Sequence, residues 1–231
     1  MLDALFAQFD SIVVLDTETT GIDCRADEII ELAAGRFTQN ADGSICEQEQ
    51  MDEFLFLSPG QHLSPTIVNL TGITEEMIAA QGTDKETAAS RFAGMLGHGR
   101  TLIVAYNAQF DLCFLYFLLQ KFGLATALKG VKMLDAMTVY KDRRPYPHKL
   151  CNAVEQYQLK TQNTHRAIDD ARATVELMVA MEQEQNDLES YVNLFGYNPK
   201  YGVSGPRISS IHYVPQGYDR TQKLYEMTAA T

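Results

Sequence analysis

Two short, uninterrupted apolar runs, Ile12-Val-Val-Leu15 and Leu102-Ile-Val-Ala105, constrain the fold more than any other feature of this chain. Neither shows the polar alternation of a strand with one wet face, so each predicts a strand covered on both sides. Residues 29–37 and 54–57 read as two further strands, with Asn40-Ala-Asp-Gly43 as a turn between them, and 131–134 reads as a fifth. Ser64-Pro65 opens a helical stretch, Thr71-Gly72 breaks it and Thr74 restarts it. Further helices are predicted over 84–97, over 110–122 with Gly123 as the stop, and over 149–157 and 167–185. Three successive strands, then strands alternating with helices, imply a mixed sheet with helices on its faces. That is an α/β or α+β domain. From about residue 193 the chain turns to Gly, Pro and Tyr without clear periodicity, which places a boundary there.

The first apolar run leads directly into Asp16-Thr-Glu-Thr-Thr-Gly21. On a strand, Asp16 and Glu18 point the same way with attachment points roughly 7 Å apart, so two carboxylates converge at a strand end. Taken alone, such a pair is more often solvated surface than a metal site. A second acid, Asp111 in Asn107-Ala-Gln-Phe-Asp111, follows the second buried run and shares a helical stripe with Phe114, Leu115, Leu118 and Phe122. Its place suits a helix cap and a ligand equally well. The third element is His165-Arg-Ala-Ile-Asp-Asp-Ala171. Successive helical residues lie about 100° apart, so the two aspartates cannot both face inward. Asp170 shares a stripe with Thr174, Leu177, Met178 and Met181, whereas Asp169 falls with Arg166, Arg172 and Glu176. Asp170 is therefore the candidate ligand, and His165 is expected on the loop before the helix.

Four carboxylates gathered at the ends of buried elements would repel one another and resist ionisation. Divalent cations resolve this, and all-oxygen ligation favours two Mg²⁺ or Mn²⁺ ions, about 4 Å apart, the usual clamp for in-line displacement at phosphorus. His165, with an ordinary pKa near neutrality, suits a general base.

A net charge of −11 argues at first against a nucleic-acid partner. The acidity is local, however: residues 1–90 carry −14 and residues 91–231 carry +3. The one dense basic stretch, Lys141-Asp-Arg-Arg-Pro-Tyr-Pro-His-Lys149, reads equally as a solvated loop or as a phosphate-binding one. Cys24, Cys46, Cys113 and Cys151 have no zinc-ligand or redox-motif spacing, which suggests neither a disulfide framework nor a structural metal. The longest apolar run, 112–119, is too short to cross a bilayer, and Asp3 and Asp10 stand where a signal peptide would be basic, so a cytoplasmic location and no membrane partner are expected.

Together the three motifs resemble the DEDDh exonucleases, the family that includes the proofreading epsilon subunit of bacterial DNA polymerase III. Thr71-Gly-Ile-Thr-Glu-Glu-Met77 resembles that family's segment between its first and second acidic motifs. The resemblance covers roughly residues 10–182. It implies a ribonuclease-H-like fold, with a five-stranded sheet whose first three strands are antiparallel. It further implies a 3′–5′ exonuclease releasing nucleoside monophosphates, with Asp16, Glu18, Asp111 and Asp170 holding two Mg²⁺ or Mn²⁺ ions and His165 as base. The terminal-nucleotide pocket would use Thr19, the backbone near Gly21, and Ile73 as an apolar contact to the last base, and Asn107 is a further substrate-binding residue. Tyr106 departs from the His that many members carry before the Asn. The expected substrate is a single-stranded or frayed DNA 3′ end, the enzyme either freestanding or lent to a polymerase subunit. An RNA-trimming enzyme of the same family and a non-catalytic docking module are the alternatives. Residues 1–186 would form the exonuclease domain and 187–231 an extension packed on it, its tyrosines (191, 197, 201, 213, 218 and 225) either buried or offered to bases.

Overall fold

The computed structural model describes residues 2–161, 166–217 and 222–228. After a short helix α1 (Asp3–Gln8), the strands β1 (Ser11–Thr19), β2 (Ile29–Gln39) and β3 (Ile45–Phe54) form an antiparallel meander. Helices α2 (Pro65–Thr71), α3 (Glu75–Gln81) and α4 (Lys85–Met95) lead to β4 (Thr101–Ala105), and α5 (Ala108–Lys121) leads to β5 (Lys132–Asp135). Next come α6 (Ala136–Arg143), α7 (Leu150–Gln156) and α8 (Ala167–Glu184). A small parallel pair, β6 (Leu194–Tyr197) and β7 (His212–Pro215), and α9 (Leu224–Thr228) follow. The main sheet has the order β3-β2-β1-β4-β5, with β4 parallel to both β1 and β5. It is the five-stranded mixed sheet with three antiparallel leading strands that the motifs implied. No helix among the described residues is long and apolar enough to cross a membrane.

The helix boundaries follow the capping chemistry. Ser64, Thr74 and Asp84 each accept a backbone N–H from the first turn of α2, α3 and α4. Gly72, at φ 72°, supplies the left-handed residue that separates α2 from α3.

The doubly buried reading of the first run holds residue by residue. Val13 and Leu15 join one core with Leu32, Phe92, Ile103, Leu112 and Leu115, while Ile12 and Val14 join another with Leu102, Val139, Leu177 and Met178. Odd residues of β1 thus face α4 and α5, and even residues face α6 and α8. Complete burial of each such side chain contributes roughly 1.5–3 kcal/mol, which anchors β1 from both faces of the sheet.

Two expectations are corrected. The third strand is Ile45–Phe54 and not 54–57: it starts just after the turn, and of its ten residues only Met51 and Phe54 are buried. As the edge of the sheet it keeps polar residues on an open face, so its apolar signal is confined to its end. The stretch 141–149 is not simply a loop: Lys141 and Arg143 belong to α6. Arg143, whose side chain is 2% exposed, is ion-paired with Asp187 and Glu184 and donates to the Met181 carbonyl. Arg144 pairs with Glu184 and lies over the Tyr157 ring. These two guanidiniums hold α6 against the end of α8 and are not presented to a phosphate.

The C-terminal segment enters both cores. Phe195 packs with the α5 side, and Tyr191, Leu194, Val214 and Leu224 with the α8 side. The Tyr191 hydroxyl donates to Asp142, that of Tyr225 to Asp187 and that of Tyr213 to Gln109. Tyr201 is exposed, and Tyr218 lies outside the described residues.

Candidate metal centre

The parity of β1 decides how the acids meet. Asp16 and Glu18, both even, project to the α8 side, and there Asp170 stands on the fourth residue of α8. One carboxylate oxygen from each of the three lies within 4.8 Å of the others. Asp169, its neighbour, does not belong to this group. Asp111 reaches the same end of the sheet from the opposite face. The pairing of β1 with β4 ends at Val14–Val104, which leaves the outward N–H of Thr17 without a strand partner. Asp111 Oδ1 takes that N–H at 3.0 Å and the Thr17 hydroxyl at 2.7 Å. A buried backbone donor at the sheet's end is satisfied by the acid it helps to position.

Burial and mutual repulsion act on these carboxyls. Burial pushes the Asp16 carboxyl well above the ordinary carboxylate range, and Asp111, Asp170, Glu18 and Glu31 add repulsion. Glu18 is pushed up to about 8, first by burial and then by Asp170, Glu31 and Asp111. Asp111 is pushed up to about 7 by burial, against the opposing hydrogen bonds from Thr17. Such carboxylates ionise together only if a cation joins them. The donors are all hard oxygens, a set that suits Mg²⁺ or Mn²⁺ better than zinc.

Two buried acids that the sequence reading passed over build the surroundings. Glu31, wholly buried on β2 opposite Glu18, accepts from the Arg166 guanidinium at 2.7 and 2.9 Å and from the Ala167 N–H at 3.1 Å. It seats the first turn of α8, and hence Asp170, against the sheet. Asp135, at the end of β5, accepts the N–H groups of Asn107 and Ala108 and those of Met137 and Thr138, together with the Thr138 hydroxyl. One carboxylate thereby caps α5 and α6 at once. The available signal for Asp135 was an acid directly after an apolar strand; Glu31 gave none, because a single acid in a strand reads as surface.

The remaining expected residues are distributed as follows. The buried Thr19 donates its hydroxyl to the Gly21 carbonyl at 2.6 Å, closing the turn after β1. A side chain at Gly21 would meet the Asp27 carboxylate within 2.3–2.6 Å and would have to displace it. Asn107 is exposed in a left-handed conformation, φ 71°, ahead of α5. Ile73 does not offer a surface: it is wholly buried with Ile30, Phe54 and Ile78 in a small core under α2 and α3. The exposed apolar side chain beside Gly21 is Ile22, 88% exposed. Tyr106 is buried, and its hydroxyl donates to the His148 carbonyl. His165 lies outside the described residues, directly before Arg166.

Comparison with known proteins identifies the family. The exonuclease family RNase_T matches residues 13–178. A PolC-type DNA polymerase III from Listeria innocua is 32% identical over 191 residues, covering 80% of this chain and 12% of that protein. The one from Staphylococcus epidermidis is 31% identical over 226 residues, covering 95% of this chain and 15% of that protein. The chain thus spans only a small part of the length of these relatives. Among solved structures, E. coli exonuclease I in complex with a dT13 oligonucleotide shares the fold with a TM-score of 0.69 at 19% identity, over 79% of this chain and 43% of that one. The zinc-bound form of the same enzyme with single-stranded DNA gives 0.69 at 21% identity, over 80% and 43%.

Proposed function

Because the chain belongs to the RNase_T exonuclease family, we propose that it is a metal-dependent 3′–5′ exonuclease that removes nucleoside monophosphates from single-stranded or frayed DNA ends, in proofreading or repair. The observation that carries this reading is the convergence of Asp16, Glu18 and Asp170 within 4.8 Å, with Asp111 held beside them by Thr17. Two ions of the Mg²⁺ or Mn²⁺ type bound by these four acids would activate a water and stabilise the leaving 3′ oxygen.

The protein's own part is positioning and proton transfer. Asp16 and Glu18 are fixed by the sheet, Asp170 by the Glu31–Arg166 contact, and Asp111 by Thr17. His165, by its place in the third motif, takes the proton of the attacking water as the new P–O bond forms and the bond to the 3′ oxygen breaks. Thr19 and the backbone near Gly21, in the turn that follows the Asp16–Glu18 strand, would hold the terminal nucleotide. DNA is preferred over RNA as substrate because the similar proteins include DNA polymerases, which also favours a polymerase as partner.

The test uses 3′- and 5′-labelled DNA and RNA oligonucleotides with Mg²⁺, with Mn²⁺ and with chelator. Metal-dependent shortening from the 3′ end of DNA is expected, abolished in Asp16→Ala. Absence of shortening on every substrate would sink the enzyme reading, and faster trimming of RNA would reassign the substrate.

A further inference from the structure

A polar pocket lies at the same end of the sheet as the acids without including them. It lies where the start of α5, α6 and the segment after β6 meet, and it encloses about 120 Å³. That is well below the roughly 300–1,000 Å³ of sites for whole drug-sized ligands, so it suits a single small group. Its polar lining includes Asn107, Lys141, Tyr197 and Asn198. Asn107 directly precedes α5, whose first turn carries Asp111. Asp135 also reaches the pocket, but its two oxygens are already engaged by five donors of the α5 and α6 starts.

Lys141 distinguishes this pocket from an ordinary surface cleft. Arg143 and Arg144 of the same basic stretch are committed to Asp187 and Glu184, whereas Lys141 makes no hydrogen bond or ion pair among the described residues. It is half-buried, and loss of hydration pulls its ammonium pKa down while Asp135 opposes the shift. A partly dehydrated cation with only the already engaged Asp135 carboxylate near it, and no hydrogen bond or ion pair, is unfavourable. The nearby side chains of Asn107 and Tyr197 add hydrogen-bonding capacity. The group that would complete the set is a compact anion.

We propose that Lys141, together with Asn107 and Tyr197, holds an internal phosphate of the substrate strand, upstream of the phosphodiester being cut. This rests on the exonuclease reading for the identity of the strand. It makes Lys141 a positioning residue: anchoring the strand one contact away from the acids sets how far the 3′ end reaches into them.

The experiment measures binding in chelator, where no strand is consumed, by fluorescence anisotropy with eight-nucleotide single-stranded DNA. A single uncharged methylphosphonate is stepped inward from the 3′ end. The wild-type protein should lose about tenfold in affinity at one internal position. Lys141→Gln should bind the unmodified strand about tenfold more weakly, show no further loss at that position, and have a salt dependence shallower by about one phosphate contact. Lys141→Arg, which keeps the charge, should retain the positional loss, and the melting temperatures of both variants report that they are folded. Equal penalties at every position in wild type and Lys141→Gln, or the same behaviour in Lys141→Arg as in Lys141→Gln, would overturn the proposal. Failure of the wild-type protein to shorten DNA with Mg²⁺ would instead count against the exonuclease reading, whatever the phosphate scan shows.

Discussion

Crowding of carboxylates at the end of β1 makes the metal-free protein less stable as pH rises, the opposite of what its exposed acids do. Asp16, Glu18 and Asp111 all have folded-state pKa values raised above the ordinary range. Between the ordinary carboxylate range and the raised values, the folded protein holds protons that the unfolded chain has released, so stability falls with pH. Glu18, pushed up to about 8, spans the window from pH 5.5 to 8. A single group can contribute a slope of up to about 1.4 kcal/mol per pH unit. Sharing of protons among neighbours reduces the sum, which leaves about 2–3 kcal/mol over that window, or roughly 5–10 °C in melting temperature for a domain of this size. Glu28, Glu176 and Glu184 have lowered pKa values and act with the opposite sign, but their stabilisation is fully present by pH 5.5. Thermal melts at constant ionic strength in chelator should therefore fall from pH 5.5 to 8. Mg²⁺ should raise the melting temperature more at pH 8 than at pH 5.5, and Asp16→Asn should flatten the metal-free profile. A flat or rising profile in chelator, identical in Asp16→Asn, would refute the reasoning.

Thr17→Val removes the hydroxyl that orients Asp111 but keeps the backbone bond, and should weaken metal affinity about tenfold with little change in folding, as read by calorimetric Mg²⁺ titration; an unaltered isotherm would contradict the role given to Thr17. Arg143→Ala leaves Asp187 without its buried guanidinium and should cost about 3–5 kcal/mol in denaturant unfolding, with oligonucleotide affinity of the folded protein unchanged; reduced affinity at normal stability would return this arginine to the phosphate contacts. Deletion of residues 193–231 strips Phe195 and Val214 from the two cores and should lower the melting temperature sharply, whereas an unchanged melt with lost nucleic-acid binding would show that the segment serves recognition.

Features that obey a local rule were legible in the sequence. Buried β1 and β4 declare themselves by unbroken apolar runs, and the caps at Ser64, Thr74 and Asp84 by side-chain chemistry. Asp170 could be told from Asp169 because helical periodicity separates faces. What escaped was decided by distant contacts. Strand β3 is polar because it lies at an edge. Glu31 resembles a surface acid until Arg166, 135 positions later, closes on it. Arg143 looks like a solvated cation until Asp187 appears beside it. Ile73 resembles a base contact by motif alone, yet three apolar neighbours from separate elements enclose it.

The seating of Asp170 by Glu31 has a mechanical consequence. Asp16 and Glu18 ride on a strand hydrogen-bonded to β2 along most of its length, beyond the point where its pairing with β4 ends, so their mutual separation is held by the sheet. Asp170 rides on a helix whose first turn is joined to that sheet by the Glu31 carboxylate and by Ala167 and Ile168 packing on Ala33. Small excursions of α8 along the sheet would change the gap between the third acid and the other two without breaking a strand hydrogen bond. Amide exchange should accordingly be slowest in β1 and faster in the opening turn of α8, and the Glu31–Arg166 contact sets how wide the space between the acids can become.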